Sequence, residues 1–237
     1  MDGFRTVGHE AAVGAVRAML AAHVPHAVLL AGPASVGKRS LALDLAAGLL
    51  CTGASGGERP CRACRACRMV EHGNHPDLHV LEPEGPGGQV GIGGKDGKRG
   101  VRDLVTELAL LPVEGVARVA VIRDAHRMND DAQSALLKTL EEPPAGTTLI
   151  LVADDEERLL PTVRSRCARV RLGTLGVRDV EMLLSARDLA DPPTAARLAR
   201  LSGGRAGLAV AYAAAPEAEA IRNELTRTLL DLLRADR

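Results

Sequence analysis

A phosphate-binding loop pattern lies between an apolar run and a helical pattern near the start of the chain. Residues 32–39 read Gly-Pro-Ala-Ser-Val-Gly-Lys-Arg. In such a loop the backbone N–H groups and the N-terminus of the following helix cradle a polyphosphate, and the lysine reaches its terminal phosphates. We therefore expect Gly32, Gly37 and Lys38 to form a cofactor site for ATP or ADP.

The residues that would bind magnesium are missing from this pattern. Ser or Thr should follow the lysine directly, but Arg39 stands there and Ser40 comes one residue too late. An active nucleotide hydrolase also has an acidic pair after the third strand, where this chain has Arg123 and Asp124. Asp124 is retained as a candidate residue of the nucleotide site. The two changes predict that the loop keeps its phosphate cradle but does not hydrolyse ATP, and they leave nucleotide binding itself open.

Four closely spaced cysteines follow the phosphate-loop helix in the order C-x9-C-x2-C-x2-C. They are Cys51, Cys61, Cys64 and Cys67. Two-residue spacings let neighbouring thiolates converge on one ion, and a fourth thiolate closes a tetrahedral shell. Zinc in a structural role is favoured. An iron–sulfur cluster is the alternative, although the Cys-Pro that ends the bacterial ferredoxin pattern is absent.

Composition excludes several classes of protein. The 237 residues carry 30 Lys+Arg and 30 Asp+Glu, so the formal net charge is zero, which argues against a broadly basic nucleic-acid binder. Aromatic residues make up only 1% of the chain, which excludes recognition by rows of stacked bases. The sequence has neither an apolar run of about 18 residues nor a signal-peptide pattern, and clustered cysteines fit a reducing compartment. We expect a cytoplasmic protein without a membrane segment.

Short apolar runs alternate with helical patterns, which predicts an α/β fold with a parallel five-stranded sheet and helices on both faces. The predicted strands are residues 26–31, 77–81, 116–122, 147–153 and 168–172. The predicted helices are residues 37–50, 101–111 and 130–142, then 177–187, 193–201, one starting at 208, and 216–237. Residues 83–100 contain eight glycines and two prolines, and we expect an exposed loop there.

Two further motifs complete a family resemblance. Residues 136–144 read Leu-Leu-Lys-Thr-Leu-Glu-Glu-Pro-Pro, a helix with leucines inward that a proline pair stops. Residues 159–167 read Leu-Leu-Pro-Thr-Val-Arg-Ser-Arg-Cys. Together with the four-cysteine insertion, these motifs resemble the clamp-loader family of AAA+ ATPases, over roughly residues 9–210.

The resemblance implies a domain organisation. An AAA+ P-loop domain would span residues 1–172, with a zinc module at about 51–67 and a Gly-rich loop at 83–100. A helical lid domain would follow at 173–215. Residues 216–237 would be the start of a helical collar domain, most of which this chain lacks.

The resemblance also implies a function in loading the sliding clamp onto primed DNA for the bacterial replicative polymerase. The expected partners are gamma/tau-like ATPase and delta-like subunits, the sliding clamp and, through the complex, primed DNA. Subunits that lose the metal ligands serve as stators and donate the arginine of Ser-Arg-Cys to a neighbour's ATP, and Arg166 matches it. Arg205 lies where a second nucleotide-sensing arginine would fall. Such a subunit has no ATPase or polymerase activity of its own, yet belongs to a DNA-directed DNA polymerase holoenzyme.

Two other functions stay open from the residues alone. The first is an independent AAA+ ATPase in which Lys38 and Asp124 suffice with a rearranged magnesium site. The second is a zinc-ribbon module that binds nucleic acid through Arg62, Arg65 and Arg68, which interleave the cysteines. Zero net charge and the scarcity of aromatic residues count against the second function.

Overall fold

The alternating strands and helices fold into two units, residues Met1–Gly173 and Thr174–Arg237. The structure is a computed structural model that describes residues 3–84, 88–93, 99–114 and 117–235. The first unit has two apolar cores and the second unit has one of its own. No helix in these described ranges combines the length and apolar character needed to cross a bilayer.

Five strands, six α-helices and three short 3-10 helices build the described part of the first unit. The strands are β1 (Ala27–Ala31), β2 (Leu78–Leu81), β3 (Arg118–Ile122), β4 (Thr147–Ala153) and β5 (Ala168–Arg171). The α-helices are α1 (Glu10–Ala21), α2 (Lys38–Leu50), α3 (Arg65–His72), α4 (Val101–Leu108), α5 (Asp130–Glu141) and α6 (Pro161–Arg164). Short 3-10 helices lie at Gly56–Glu58, Ala125–Arg127 and Glu156–Arg158.

The five strands form one parallel sheet in the order β2-β3-β4-β1-β5, which confirms the predicted fold class. Leu29 of β1 lies opposite Leu151 of β4 on one side and Arg169 of β5 on the other. The carboxyl ends of all five strands therefore meet at one edge. The third strand was predicted from residue 116, which lies outside the described residues.

Side chains alternate between two cores, one on each face of the sheet. Leu30 and Val121 face a core formed with α1 and α2, whereas Leu29 and Ile122 face a core formed with α4, α5 and α6. Successive strand residues point to opposite faces, so a strand that is apolar throughout is buried on both. The sheet is thus the middle of three layers, and it fixes the loops at its carboxyl edge.

Three helices of the first unit were not predicted: α1, α3 and α6. The Gly-rich segment also differs from the prediction of an exposed loop, because Val90 is buried and its backbone bridges Met128. Val90 donates its N–H to Arg127 O at 3.1 Å, and packing of its side chain offsets the ordering of the glycines around it. Residues 85–87 and 94–98 of that segment lie outside the described residues.

The second unit is helical throughout its described part. Its helices are α7 (Val177–Ala186), α8 (Pro192–Leu201), α9 (Ala206–Ala214) and α10 (Pro216–Ala235). Val180, Leu184 and Leu198 are fully buried in a core shared by α7, α8 and α9. Ile221 and Leu225 of α10 are exposed.

Candidate functional site

Two glycines of the phosphate loop adopt backbone conformations that other residues rarely adopt. Gly32 has a φ of 147°, and a Cβ there would lie 1.9 Å from Leu172 O, so no other residue fits without a shift. Gly37 has a φ of 112° and caps the N-terminus of α2. The ring of His9 donates through Nε2 to Val36 O at 2.7 Å, which ties the N-terminal segment to the loop.

Lys38 is buried under this loop and all of its hydrogen-bond donors have acceptors. Its Nζ donates to Gly32 O at 2.7 Å and to Pro33 O at 2.5 Å. It also forms an ion pair with Asp154 Oδ1 at 2.7 Å. The Lys38 side chain is only 4% exposed. A lysine ammonium has three N–H donors, so these contacts use its full capacity.

The two arginines that replace the magnesium ligands share one carboxylate. Arg39 Nη2 donates to Glu82 Oε2 at 3.1 Å, and Arg123 Nη1 donates to the same oxygen at 2.6 Å. Glu82 directly follows β2, the neighbour of β3 in the sheet. The hydrogen bond from Arg123 is the main reason that the pKa of Glu82 lies below its usual range. Cationic guanidinium groups thus stand where the family pattern places groups that bind a metal cation.

Asp124 adopts a left-handed backbone conformation, with φ 48° and ψ 44°, directly after β3. One oxygen or nitrogen atom from each of Asp124, His126 and Asp154 lies within 4.8 Å of the others. The backbone N–H of Asp154 donates to His126 Nδ1 at 3.1 Å. Asp124 therefore lies beside the residue that pairs with Lys38, at the carboxyl edge of the sheet.

The cationic side chains around the phosphate loop are matched by an equal number of carboxylates from the same chain. Three cations, Lys38, Arg39 and Arg123, come with three carboxylates, Glu82, Asp124 and Asp154. The loop backbone can cradle an anion, but the groups that would hold magnesium on a bound nucleotide are arginines. This arrangement keeps the phosphate-loop backbone and has paired arginines at the two positions of the pattern that would hold magnesium.

The four predicted metal ligands converge on one point. The Sγ atoms of Cys51, Cys61, Cys64 and Cys67 all lie within 4.8 Å of one another. Sulfurs in a tetrahedral shell about 2.3 Å from one ion would lie roughly 3.8 Å apart, and the distance between Cys51 Sγ and Cys64 Sγ is 4.0 Å. The donor set therefore fits a thiolate-bound metal ion with no open coordination position.

Backbone N–H groups point at the sulfurs of this cluster. Cys64 N donates to Cys61 Sγ and Cys67 N donates to Cys64 Sγ, each at 3.4 Å. Burial opposes ionisation of Cys64, but N–H donation from Cys67 and Thr52 outweighs it and lowers the pKa of its thiol to about 5. Donation from Cys64 lowers the pKa of Cys61. Burial instead raises the pKa of Cys67, so binding a metal would release a proton there.

A buried carboxylate fastens this cysteine module to the phosphate-loop helix. Asp44 of α2 is 1% exposed and pairs with Arg62, which lies between the second and third cysteines. Asp44 also accepts hydrogen bonds from Thr6 N at 2.9 Å and Thr6 Oγ1 at 2.6 Å. Sequence reasoning missed this junction, because only the fold brings residues 6, 44 and 62 together.

Arg166 lies in the turn between α6 and β5. Its Nη2 pairs with Glu141 Oε1 at 2.6 Å and its Nη1 donates to Thr162 O at 2.9 Å, while 35% of the side chain is exposed. Cys167 packs against the neighbouring core, where burial raises the pKa of its thiol to about 11. In this chain Arg166 contacts α5 and α6 rather than the phosphate loop.

Arg205 belongs to the second unit. It directly precedes α9, and its Nε donates to Ser202 O at 3.3 Å. It follows Gly203 and Gly204, which have φ values of 58° and 79°. The first unit thus brings the four cysteines together and places Lys38 beside Asp154, whereas Arg166 pairs with Glu141.

Comparison with known proteins decides the family. A family model described as "DNA polymerase III, delta subunit" matches residues 9–176. The chain belongs to this DNA polymerase III delta-subunit family. It is 41% identical over 187 residues to DNA polymerase III subunit delta' of Pseudomonas aeruginosa, covering 76% of this chain and 53% of that protein. It is 33% identical over 180 residues to subunit tau of Salmonella typhimurium, covering 74% and 26%.

This delta-family chain therefore spans about half the length of its delta' relative. Among solved structures, the RuvB Holliday junction branch migration motor of Thermotoga maritima superposes with a TM-score of 0.58 at 19% identity, over 96% of this chain and 68% of that one. That likeness shows a shared AAA+ fold. The predicted membership of the AAA+ clamp-loader family is confirmed.

Proposed function

We propose that this chain is a delta'-like subunit of a bacterial clamp loader, and that it serves as a stator which does not hydrolyse ATP. The observation that carries the proposal is the Glu82 carboxylate, which binds Arg39 and Arg123 at both positions that should hold magnesium. Without that metal, charge on a transferring phosphoryl group is not neutralised. Gly32, Gly37, Lys38 and Asp124 would then be the remains of a nucleotide site.

In this role Arg166 would act on a neighbouring subunit. The Glu141 partner holds the guanidinium at the surface, and a half-exposed ion pair of this kind is worth about 0–1 kcal/mol. Moving the guanidinium to a neighbour's ATP would therefore cost little, while an arginine supplied in trans accelerates phosphoryl transfer by about 10³–10⁵. Arg205 would sense nucleotide from the second unit.

We also propose that the four cysteines hold zinc in a structural role. An all-thiolate tetrahedron suits zinc and leaves no position for substrate, so the ion would supply folding energy rather than chemistry. Thiols kept available for a metal fit the reducing cytoplasm, where the protein would work.

The proposed partners are gamma/tau-like ATPase subunits, a delta-like subunit, the sliding clamp and primed DNA. The test is clamp loading by a reconstituted complex that contains either this protein or its Arg166→Ala variant. Loss of loading in the variant, with normal assembly, supports the stator role. Magnesium-dependent hydrolysis by this subunit alone would instead support an independent ATPase.

A further inference from the structure

We propose that Asp154 determines which ligands the phosphate loop accepts, because its carboxylate competes with a polyphosphate for Lys38. This inference rests on the proposed function and deepens it, since it gives a reason why a subunit with an intact loop backbone stays out of the ATP cycle. The ligands concerned are nucleoside di- and triphosphates and inorganic polyphosphate.

The sheet fixes Asp154 beside the loop. Ala153, the last residue of β4, lies opposite Ala31 of β1, and Gly32 N donates to Ala153 O at 3.3 Å. Asp154 is the next residue, and its own N–H is held by His126 Nδ1. The carboxylate is therefore placed by strand register and backbone hydrogen bonds.

Lys38 has no donor to spare for a phosphate while Asp154 is in place. Its remaining partners, Gly32 O and Pro33 O, are neutral carbonyl groups of the loop itself. The ammonium is almost fully buried, and a buried cation needs an anionic partner. Asp154 supplies that anion from within the chain, so a polyphosphate must first displace it.

Nearby charges add to this competition. Asp124 lies within 4.8 Å of Asp154, and both carboxylates would repel an incoming polyanion. The cations that would offset the repulsion, Arg39 and Arg123, are paired with Glu82. Removing the single charge of Asp154 should therefore free Lys38 and shift the balance toward binding.

The experiment measures binding of ATP, ADP and inorganic tripolyphosphate to the full chain by isothermal titration calorimetry, with magnesium and with EDTA. Asp154→Asn should bind tripolyphosphate at least about tenfold more tightly than the wild type, which corresponds to about 1.4 kcal/mol. The matched control is Asp155→Asn, the same change one residue along. The exposed Asp155 side chain accepts from Glu157 N and should leave binding unchanged.

A double variant and a turnover assay complete the experiment. Adding Lys38→Ala to Asp154→Asn should abolish the gain, because the released cation is then gone. Wild-type protein that already binds tripolyphosphate as tightly as Asp154→Asn, or an equal gain in Asp155→Asn, would overturn the proposal. ATP turnover is measured on the same samples to separate this inference from the proposed function. Hydrolysis by the wild type would contradict the non-hydrolysing role. Unchanged tripolyphosphate binding by Asp154→Asn would contradict only the role of Asp154.

Discussion

Arg39 and Arg123 donate to the same oxygen, Oε2 of Glu82, from the start of α2 and the end of β3. Read separately in the sequence, each arginine is the loss of one magnesium ligand. In the structure they form one ionic group, with the carboxylate supplied by the residue after β2. The two replacements are therefore a single structural change, and restoring one of them would leave the other still paired.

Glu82→Gln should destabilise the protein in a pH-dependent way. The pKa of Glu82 is lowered in the folded state, so its contribution is complete above the ordinary carboxyl range near 4.5 and is lost as the pH falls through the lowered value. Thermal denaturation of wild type and variant should thus differ at neutral pH and converge as the pH falls through the lowered pKa of Glu82. Glu217→Gln, an exposed carboxylate on α10, is the control and should show no such convergence. A Glu82 difference that grows in acid would contradict the assignment.

Cys64→Ser should remove the metal and lower stability. Elemental analysis of the wild type is expected to find about one zinc per chain. The apparent Tm of the variant should fall by roughly 10 °C or more. In a domain of this size, each kcal/mol lost from the free energy of unfolding lowers Tm by about 2–4 °C.

Cys167→Ser is the matched control for that variant, since Cys167 lies outside the four-cysteine cluster. It should keep its zinc. Iron in freshly purified protein, or equal metal loss in both variants, would refute a zinc site formed by the four clustered cysteines.

Asp44→Ala should be among the most destabilising single substitutions in the first unit. It leaves the largely buried guanidinium of Arg62 without its carboxylate, and breaking such a pair costs about 3–5 kcal/mol. Chemical denaturation measures the change. Asp131→Ala, at an exposed position in the first turn of α5, should cost less than about 1 kcal/mol. Equal effects of the two variants would show that Asp44 does not join the cysteine module to α2.

Arg166→Ala and Arg166→Lys should both stop clamp loading by the assembled complex, because an ammonium cannot reproduce the planar fork of a guanidinium. The stability of the subunit and its zinc content should hardly change. Arg171→Ala is the control, since Arg171 forms a similar exposed pair with Glu156. If Arg166 serves only its ion pair with Glu141, the Arg166 and Arg171 variants will both load the clamp normally.

Much of this fold and site could be predicted from sequence because the signals are local. Apolar runs that alternate with helical patterns predicted the parallel sheet, which the structure contains. The spacing of the four cysteines predicted that their sulfur atoms lie close together, and they do. Glu82 and Asp154 could not be found in this way. Each follows a strand whose place in the sheet, beside β3 for β2 and beside β1 for β4, is not readable from the order of the strands along the chain.

Val90 illustrates a second limit. A segment dense in glycine predicts exposure, because glycine loses the most conformational freedom on folding. One apolar side chain that reaches a core can still order its neighbours, and Val90 does so through its bridge to Met128. A prediction from composition treats the whole segment alike and therefore misses the effect of one buried residue.

The most direct test of the central claim is steady-state ATP hydrolysis by the purified chain, with saturating magnesium and without partner subunits. The Arg39–Glu82–Arg123 group predicts no turnover above background, and the same result for Lys38→Ala. A magnesium-dependent rate that Lys38→Ala abolishes would contradict the non-hydrolysing role.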